Sequence, residues 1–242
     1  MIEKNVLKRK LFEYFWLKFP VRKSQKITAI SEATKQDIIK YTGCPPDKIF
    51  VIPVAVPDIF KPAFKIFDAK CPVLLQIGTA VNKNLERLIC AIEPIHCQLV
   101  IVGKLSGSQL QLLNNCKIRY KNLINISLEE MYAQYVNCDI VTFISTFEGF
   151  GMPIIEANCV ERPVITGNIS SMPEVGGNAA CYVDPYSVEE IRTGIMKIID
   201  DKEYRDCLIE NGKVNRRRYS GQQIANQYYE IYKNIWGEVG KN

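Results

Sequence analysis

The sequence of 242 residues has no long uninterrupted apolar run. Nowhere does it approach the roughly 18 consecutive apolar residues that indicate a membrane-spanning helix. Its first ten residues include Glu3, Lys4 and Lys8, where a secretory signal peptide would begin its apolar core. We therefore expect a cytoplasmic chain that neither crosses a membrane nor is secreted.

Metal-ligating patterns are also scarce. The nine cysteines are scattered singly without a Cys-x-x-Cys pair, His96 is the only histidine, and the nine aspartates include no Asp-x-Asp. These spacings exclude a zinc ribbon and a disulfide framework, and they offer no ligand cluster to a divalent cation. We expect reduced thiols, no bound metal and no cofactor.

Positive charge is present but unevenly distributed. The net charge is +5, yet residues 1–26 carry eight Lys or Arg against two Glu, so the remainder of the chain is slightly acidic. The same segment is rich in large apolar residues, namely Phe12, Tyr14, Phe15, Trp16, Leu17 and Phe19. This mixture suits peripheral contact with an anionic membrane or a partner, or a helix that packs its aromatic side on the fold. No nucleic-acid partner is expected, because the excess charge is confined to one end and no zinc-finger or RNP-type signature follows.

Beyond residue 72, short apolar runs alternate with helical patterns. The runs predict strands at Val73–Ile77, Leu99–Val102, Ile118–Tyr120, Asp139–Ile144, Pro163–Thr166 and Cys181–Val183. The patterns between them predict helices at Asn84–Ile92, Gly107–Asn115, Leu128–Val136, Pro153–Cys159 and Ser187–Asp200. Strands separated by helical crossovers form a parallel sheet covered on both faces. The sequence therefore predicts an α/β fold with a doubly wound, Rossmann-like, six-stranded parallel sheet.

The segment before this sheet is shorter. We expect a strand at Lys26–Ile30 and a helix that begins after Ser31 and ends before Gly43. A proline-rich, extended connection covers residues 53–72. The predicted division is residues 1–60 as an N-terminal part with the start of the connection, 61–220 as the sheet domain, and 221–242 as a C-terminal helix that crosses back toward the N-terminal part.

One glycine-rich cluster, Phe147–Ala157, follows a predicted strand and opens a predicted helix. Gly149 and Gly151 let the backbone turn, and the amides of the first helical turn, at the positive end of the helix dipole, can hold sugar or phosphate oxygens. Glu148 lies just before this helix and Glu156 is expected in its first turn, so that both carboxylates can bind vicinal hydroxyls. The alternative is a plain turn whose acids stabilise the helix N-terminus.

The spacing from Glu148 to Glu156 resembles the E-x7-E signature of the retaining family 4 glycosyltransferases, which have the GT-B fold. The likeness runs in order along residues 26–236. Its other motifs are Ile30–Thr34, Ile49–Ile52, Ile77-Gly78, Lys83-Asn84, Leu99–Gly103, Pro163–Ile165, Met172–Val175 and Asp184-Pro185. The resemblance implies the C-terminal, donor-binding half of a GT-B enzyme with a short remnant of the N-terminal domain.

The resemblance also implies roles for the two carboxylates. The second glutamate of the signature, here Glu156, binds the ribose of a nucleotide-diphosphate sugar. The first, here Glu148, lies near the transferred sugar and stabilises positive charge at its anomeric carbon. The backbone amides that would hold the sugar hydroxyls are those of Gly149, Phe150, Gly151 and Met152.

By the same resemblance Lys83 is a catalytic residue that would meet the leaving diphosphate together with a helix N-terminus, in place of a metal. Gly78 and Thr79 would belong to the same donor-site loop. The family usually has a second basic residue just after this glycine, and here that position is not basic. Lys104, after the next strand, is a candidate substitute or an exposed loop lysine. A further departure is Glu161, at a turn where the family commonly has glycine.

Two functions follow from these observations. The first is a retaining, hexosyltransferase-type glycosyltransferase, or its donor-binding subunit, acting on a hydroxyl of a glycan or lipid-linked acceptor. Since only about 60 residues precede the connection, a second subunit or another copy of the chain would have to close the catalytic cleft. The second is a non-catalytic nucleotide-sugar-binding or scaffolding module. A nicotinamide-dependent enzyme is disfavoured, because residues 78–82 lack the G-x-G-x-x-G turn.

Overall fold

The computed structural model describes residue 8 and residues 11–239. Contacts divide the chain into two compact units, Met1–Pro53 and Val54–Asn242. This boundary precedes the one at residue 60 that the sequence suggests. Val54 and Val56 pack against the core of the second unit, and Phe60 is buried in it. Much of the proline-rich connection therefore belongs to the sheet domain.

The first unit contains one small parallel sheet and the helices beside it. Its elements are a π-helical turn Tyr14–Lys18, a helix Phe19–Lys23, strand β1 Ile27–Ala29, a helix Glu32–Thr42, a 3-10 turn Pro46–Lys48 and strand β2 Ile49–Val51. β1 pairs with β2 in parallel. The predicted helix start is confirmed, because the Ser31 hydroxyl accepts the amide of Thr34 at 3.0 Å. The predicted end is also confirmed, with Gly43 in the left-handed conformation at φ 70°.

The second unit is a six-stranded, all-parallel sheet with helices on both faces. Its strands are β3 Val73–Ile77, β4 Gln98–Val102, β5 Tyr120–Leu123, β6 Ile140–Phe143, β7 Val164–Gly167 and β8 Cys181–Val183, in the order β5-β4-β3-β6-β7-β8. Its helices are Leu85–Ile92, Gly107–Asn115, Leu128–Asn137, Met152–Val160, Met172–Gly176, Val188–Asp200, Lys202–Asn215 and Gly221–Val239. The predicted α/β fold and doubly wound sheet are confirmed.

Side chains that point alternately to the two faces of the sheet explain the two layers of helices. Leu74 and Leu75 are adjacent on β3, yet they belong to different core clusters, because successive strand residues point to opposite faces. The Leu74 cluster includes residues of Leu85–Ile92 and Val188–Asp200. The Leu75 cluster includes residues of Leu128–Asn137 and Met152–Val160. A sheet covered on both faces needs apolar residues at nearly every strand position, and the central strands have them.

Several elements differ from the sequence-based expectation. β5 is shifted from Ile118–Tyr120 to Tyr120–Leu123, because pairing with β4 decides its bounds and two of its residues, Lys121 and Asn122, are polar. β2 and the short helix Met172–Gly176 were not predicted. Such short elements carry too few residues to show a period.

The C-terminal part is helical. A 3-10 turn, Arg216–Tyr219, separates Lys202–Asn215 from the 19-residue helix Gly221–Val239. Within the described part of the chain, no helix combines the length and the apolar character that crossing a bilayer would require.

The strand order places a topological switch point beside β3. β4 and β5 extend the sheet to one side of β3, and the chain then returns to place β6 on its other side. Ligands of open α/β sheets bind in the crevice beyond the carboxyl ends of the strands at such a point. The loops after β3 and β6 therefore define the candidate site.

Candidate active site

The loop after β3 wraps closely around the stem of Lys83. Gly78 has φ +87°, and a Cβ built on it would lie 2.9 Å from Lys83 Cγ, so this position needs glycine for both reasons. Lys83 ends a 3-10 turn, and Asn84 in the left-handed conformation separates it from the helix that begins at Leu85. The helix therefore begins one residue after the predicted start at Asn84, and Lys83 lies two residues before it.

Two buried amide side chains fix this loop. Asn84 Nδ2 donates to the carbonyl of Ile144 at 3.0 Å and to that of Pro185 at 2.6 Å. Gln76 Nε2 donates to the carbonyls of Gly78 and Lys83, at 3.3 and 3.1 Å. The backbone that carries Lys83 is thus held by side chains that are themselves buried in the sheet domain.

Lys83 meets Glu148 across the crevice. Lys83 Nζ lies 2.6 Å from Glu148 Oε1, and the side chains are 24% and 16% exposed. The same carboxylate oxygen accepts from Asn82 Nδ2 at 3.3 Å, and Lys83 Nζ is 5.0 Å from the centre of the Phe143 ring. Partial burial strengthens this pair relative to one in open water.

Serines that follow β7 hold the backbone of Glu148. The hydroxyl of Ser170 donates to the Glu148 carbonyl at 2.5 Å and accepts the Glu148 amide at 3.3 Å. The hydroxyl of Ser171 donates to the carbonyls of Glu148 and Phe150, at 2.9 and 2.5 Å. These serines and Asn82 were missed in the sequence, although their positions after neighbouring parallel strands could have indicated them.

The glycine-rich bend turns the chain from β6 into the helix Met152–Val160. Gly151, directly before this helix, has φ +127°, and a Cβ there would lie 3.2 Å from Ile154 Cδ1. Phe150 is buried, and its ring meets that of Tyr219 edge to face at 5.7 Å. The side chain of Phe150 therefore belongs to the core, and only its backbone could touch a ligand.

Glu156 lies in the second turn of that helix, not in the predicted first turn, because the helix already begins at Met152. Tyr135, fully buried, donates its hydroxyl to Glu156 Oε2 at 2.5 Å. Burial raises the pKa of Glu156 and the Tyr135 hydrogen bond opposes that rise. Burial also raises the pKa of Tyr135, so its hydroxyl stays protonated as the donor. No local sequence pattern could have indicated this contact, because Tyr135 and Glu156 are 21 positions apart.

The raised pKa of Glu156 predicts a pH-dependent stability. The folded protein binds this proton more tightly than the unfolded chain, whose glutamate titrates near 4.5, so folding stability falls as pH rises from about 4.5 through the folded pKa. We expect Glu156→Gln to remove this decline, so that the variant gains stability relative to the native chain between pH 4 and pH 7. Urea unfolding at both pH values measures the difference. Parallel curves for the two proteins would contradict the assignment.

The loops after β3 and β4 also touch each other. The Thr79 hydroxyl donates to the carbonyl of Lys104 at 2.7 Å, and the Thr79 carbonyl accepts from Gln109 at 2.9 Å. Gly103, at φ +144°, allows this approach, because a Cβ would lie 3.0 Å from Thr79 Cγ2. The Lys104 side chain is exposed. Thr79 thus joins the two loops, whereas the structure shows no contact that brings the Lys104 ammonium to Lys83.

The residues singled out in the sequence thus form separate groups. Gly78, Lys83 and Glu148 are in contact at the switch point, and Glu156 meets Tyr135 behind the bend. A cavity of about 300 Å³ lies elsewhere, at the amino-terminal edge of the sheet around Asp139 and Arg162. Among the described residues, no group of three or more His, Cys, Asp or Glu is placed to hold a metal ion.

The chemistry available at the switch point is electrostatic. One ammonium, from Lys83, could pair with an anionic ligand in place of Glu148. The helix Met152–Val160 directs the positive end of its dipole toward the bend before it. Glu156 offers a second oxygen beside the one that Tyr135 engages. The arrangement suits a ligand that combines phosphate oxygens with sugar hydroxyls.

Sequence comparison gives a family match. Residues 60–215 match the family model described as Glycosyl transferases group 1. A relative from Escherichia coli, O-antigen chain mannosyltransferase B, is 28% identical over 86% of this chain and 60% of its own length. A second, serotype-specific mannosyltransferase WbdA from the same organism, is 27% identical over 88% of this chain and 29% of its own. The chain thus spans 60% or less of these relatives.

Structure comparison gives the same fold. The Anabaena protein Alr3699/HepE, solved in complex with UDP and glucose, superposes with a TM-score of 0.82 at 19% identity, over 92% of this chain and 66% of that protein. Sucrose-phosphate synthase from Thermosynechococcus elongatus gives 0.79 at 18% identity, over 91% and 61%. At such identities the likeness establishes the architecture alone.

Proposed function

Since the chain belongs to the group 1 glycosyl transferases, we propose that it binds a nucleotide-diphosphate sugar and transfers the sugar, with retention of configuration, to an acceptor hydroxyl. The observation that carries the proposal is the Lys83–Glu148 contact at the switch point of the sheet. There a cation and a carboxylate stand together where the leaving diphosphate and the transferred sugar would meet.

In this proposal Lys83 binds the diphosphate. The Lys83 side chain is only 24% exposed, and an ammonium on a partly buried side chain stabilises developing phosphate charge more strongly than one in open water. Gly78 lets the backbone and the Lys83 stem lie close together, and Thr79 keeps the adjoining loop in place. Lys104 is proposed as an auxiliary cation that reaches the diphosphate only when a donor is bound. No metal or cofactor takes part.

Glu156 is proposed to bind the ribose. Tyr135 holds Oε2 of this carboxylate, and in the proposal Oε1 and the remaining lone pairs of Oε2 would accept from two vicinal hydroxyls. A carboxylate accepting two hydroxyls makes charge-assisted hydrogen bonds, which are about twice as strong as neutral ones. The amides of Gly149–Met152 would hold the sugar hydroxyls.

Glu148 is proposed to act at the transferred sugar. As the bond from the anomeric carbon to the diphosphate lengthens, positive charge grows on that carbon, and the Glu148 carboxylate stabilises it. The departing phosphate oxygen takes the proton of the acceptor hydroxyl on the same face, so the protein supplies no nucleophile. Orientation and electrostatic stabilisation then provide the rate enhancement.

The names of the relatives bear on the sugar and the acceptor. The two relatives described above are named as mannosyltransferases, one of them for an O-antigen chain. We therefore propose that the donor carries a hexose, of which mannose is the first to test, and that the acceptor is a glycan or is lipid-linked. The chain spans about 60% of the first relative's own length, so what that whole relative acts on is carried over to this chain only as a proposal. The second candidate is a nucleotide-sugar-binding or scaffolding module without transfer activity, which would use the Lys83–Glu148 site for binding alone.

A panel of nucleotide sugars tests the proposal. Binding of UDP-, GDP- and ADP-linked hexoses is measured calorimetrically, and transfer and donor hydrolysis are followed with the chain alone and with extract of its host. We expect one donor to bind and Glu156→Ala to weaken it by about 30-fold, which corresponds to the loss of charge-assisted bonds worth about 2 kcal/mol.

Glu203→Ala is the matched control, because Glu203 is exposed in the first turn of the helix Lys202–Asn215 and should leave binding unchanged. Donor binding without transfer or hydrolysis under any condition would favour the module. If no donor binds, or if Glu156→Ala binds as the native chain does, the site assignment is wrong.

A further inference from the structure

The cavity at the amino-terminal edge of the sheet lies away from the candidate active site. Its volume is about 300 Å³, at the small end of the range for ligand pockets. It is lined by Pro163, which directly precedes β7, by residues 64–67 of the connection and by residues of the helix Lys202–Asn215. All of these belong to the second unit. The cavity is therefore a feature of the sheet domain alone, on the opposite edge of the sheet from Lys83 and Glu148.

One buried guanidinium of this lining is only partly engaged. Arg205 is 8% exposed, and its Nη1 donates to the carbonyls of Ile198 and Ile199 at 2.6 and 3.0 Å. Its Cζ lies 3.9 Å from the centre of the Phe67 ring, so one face of the guanidinium is stacked. Among the described residues, none accepts a hydrogen bond from Nε or Nη2, and none forms an ion pair with Arg205. Two donors on one edge of the guanidinium therefore remain open.

This open edge of Arg205 can be reached by a ligand. Of the buried side chains in the described part of the protein, Ser145 Oγ is the one polar atom that is both enclosed and without a partner. Nε and Nη2 of Arg205 are therefore not enclosed, and the cavity that Arg205 lines gives access to them. Nε–H and Nη2–H are parallel donors on the same side of the guanidinium, and such a pair matches two oxygens of a carboxylate or a phosphate.

The other charged groups of the lining leave a surplus of positive charge. Every carboxylate of the lining already has a cationic partner, in the pairs Asp139–Lys65, Asp206–Lys202 and Glu161–Arg216. Arg162 donates to backbone carbonyls, which carry no net charge. Arg162 and Arg205 are thus the lining cations without a carboxylate partner within residue 8 and residues 11–239. A buried charge without a counter-ion is costly, and an anion in the cavity would supply one.

The cavity also has an apolar wall. Phe64 and Ile66 are 91% and 79% exposed, although both side chains are large and apolar, and Phe67, Pro163 and Ile209 belong to the same lining. An apolar body placed against Phe64 and Ile66 would remove their surface from water, which is favourable in proportion to the area removed. The lining therefore combines one charged, bidentate donor with apolar contacts.

We propose that this cavity binds a small amphipathic carboxylate, in which a single carboxylate is attached to a compact apolar body. The carboxylate accepts from Nε and Nη2 of Arg205, and the apolar body contacts Phe64 and Ile66. A monoanion suits the lining better than a phosphate monoester does. The lining carries four cationic against three acidic side chains, whereas a phosphate monoester brings a charge of about −1.5 to −2 at pH 7. The inference does not depend on the proposed sugar transfer.

Nuclear magnetic resonance of the full, isotope-labelled chain tests the inference. The probe is hydrocinnamate, its uncharged match is hydrocinnamamide, and inorganic phosphate serves as an anion without an apolar body. We expect hydrocinnamate to bind at least about tenfold more tightly than either, because hydrogen bonds between charged groups are stronger than neutral ones and the apolar body adds contacts. Binding should move the Nε–H resonance of Arg205, which is identified by its absence in Arg205→Lys.

Two variants of the cavity separate its charged and apolar contributions. Arg205→Gln should weaken hydrocinnamate binding about 30-fold, because the charge and the bidentate edge are both lost. Phe64→Ser with Ile66→Ser should weaken it about fivefold, and this variant changes only exposed side chains, so it should fold even if Arg205→Gln does not. Arg217→Gln, at an exposed arginine of the 3-10 turn Arg216–Tyr219, is the matched control and should bind as the native chain does. Circular dichroism verifies that each variant is folded.

Several outcomes would overturn the proposal. Equal affinity for hydrocinnamate and hydrocinnamamide would show that Arg205 does not select a carboxylate. Phosphate that binds as tightly as hydrocinnamate would show that the apolar wall plays no part. Failure of hydrocinnamate to bind, or unchanged affinity in a folded cavity variant, would show that the ligand class is wrong or that the probe binds elsewhere.

Discussion

Lys83→Met is expected to weaken the binding of the nucleoside diphosphate by about 100-fold. Methionine keeps the stem that packs against Gly78 but removes the ammonium, which is the cation placed by the structure next to Glu148. A hydrogen bond to a charged group contributes about 1.5 to 3 kcal/mol, and about 2.7 kcal/mol corresponds to 100-fold in affinity. Titration calorimetry with UDP, GDP and ADP measures the effect.

Two further variants separate this effect from a general disturbance. Lys61→Met removes an exposed lysine of the connection and should not change affinity. Glu148→Gln should strengthen diphosphate binding about threefold, since a partly exposed ion pair contributes less than about 1 kcal/mol and the lysine loses its competing partner. The same change should lower transfer about 100-fold. If Glu148→Gln weakened binding as much as Lys83→Met, Glu148 and the diphosphate would not compete for the Lys83 ammonium.

Arg162→Met is expected to lower the free energy of unfolding of the sheet domain by about 4 kcal/mol. Arg162 is 4% exposed and donates five hydrogen bonds to backbone carbonyls. The acceptors are Val136, Cys138, Val160 and Glu161, at or just beyond the ends of the helices that carry Tyr135 and Glu156, and Ala63 of the connection. Methionine fills similar volume but leaves these buried acceptors unpaired, and removing one partner of a buried charged network costs about 3 to 5 kcal/mol.

Urea unfolding followed by circular dichroism measures this loss. Burial lowers the pKa of Arg162. Arg162→Lys should recover only part of the stability, because lysine has a compact charge and three donors in place of the planar guanidinium. Arg217→Met, at an exposed arginine of the 3-10 turn Arg216–Tyr219, should change the free energy of unfolding by less than about 0.5 kcal/mol. A loss below about 1 kcal/mol for Arg162→Met would show that water replaces its bonds.

The fold was predictable because the local sequence signals of its central strands indicate the same residues that the sheet uses. The strand Val73–Ile77 and the helix Gly107–Asn115 have the bounds that the sequence predicts, since the apolar run and the capping residue Ser106 specify them locally. β5 was misplaced because its position depends on pairing with β4 rather than on its own residues. Edge strands with polar residues give the weakest local signal.

The site was predictable only where it depends on loops after neighbouring strands. Lys83 and Glu148 could be placed on facing loops from the sequence, and the structure brings them to 2.6 Å. The Tyr135–Glu156 bond and the attachment of Glu148 to Ser170 and Ser171 depend on packing between distant segments. Nothing in the local sequence encodes such contacts, because many polar residues have equivalent surroundings in the chain.

Glu161 illustrates a departure that the structure accommodates. It occupies the left-handed conformation at φ 61° directly after the helix Met152–Val160, where glycine is the usual residue. Its carboxylate lies 3.3 Å from Arg216 and 3.7 Å from Lys213. These ion pairs offset part of the backbone strain, which explains how a residue with a Cβ is tolerated at this turn.

The ion pair between Lys83 and Glu148 also bears on the last step of the proposed reaction, the release of the nucleotide. A half-buried ammonium that lost its diphosphate with no anion nearby would be left poorly hydrated, and the nucleotide would leave slowly. Glu148, 2.6 Å away, is an internal counter-ion that can take the place of the departing phosphate. In the proposed reaction, the spent nucleotide would then leave by exchange of one anion for another, and this exchange would limit product inhibition.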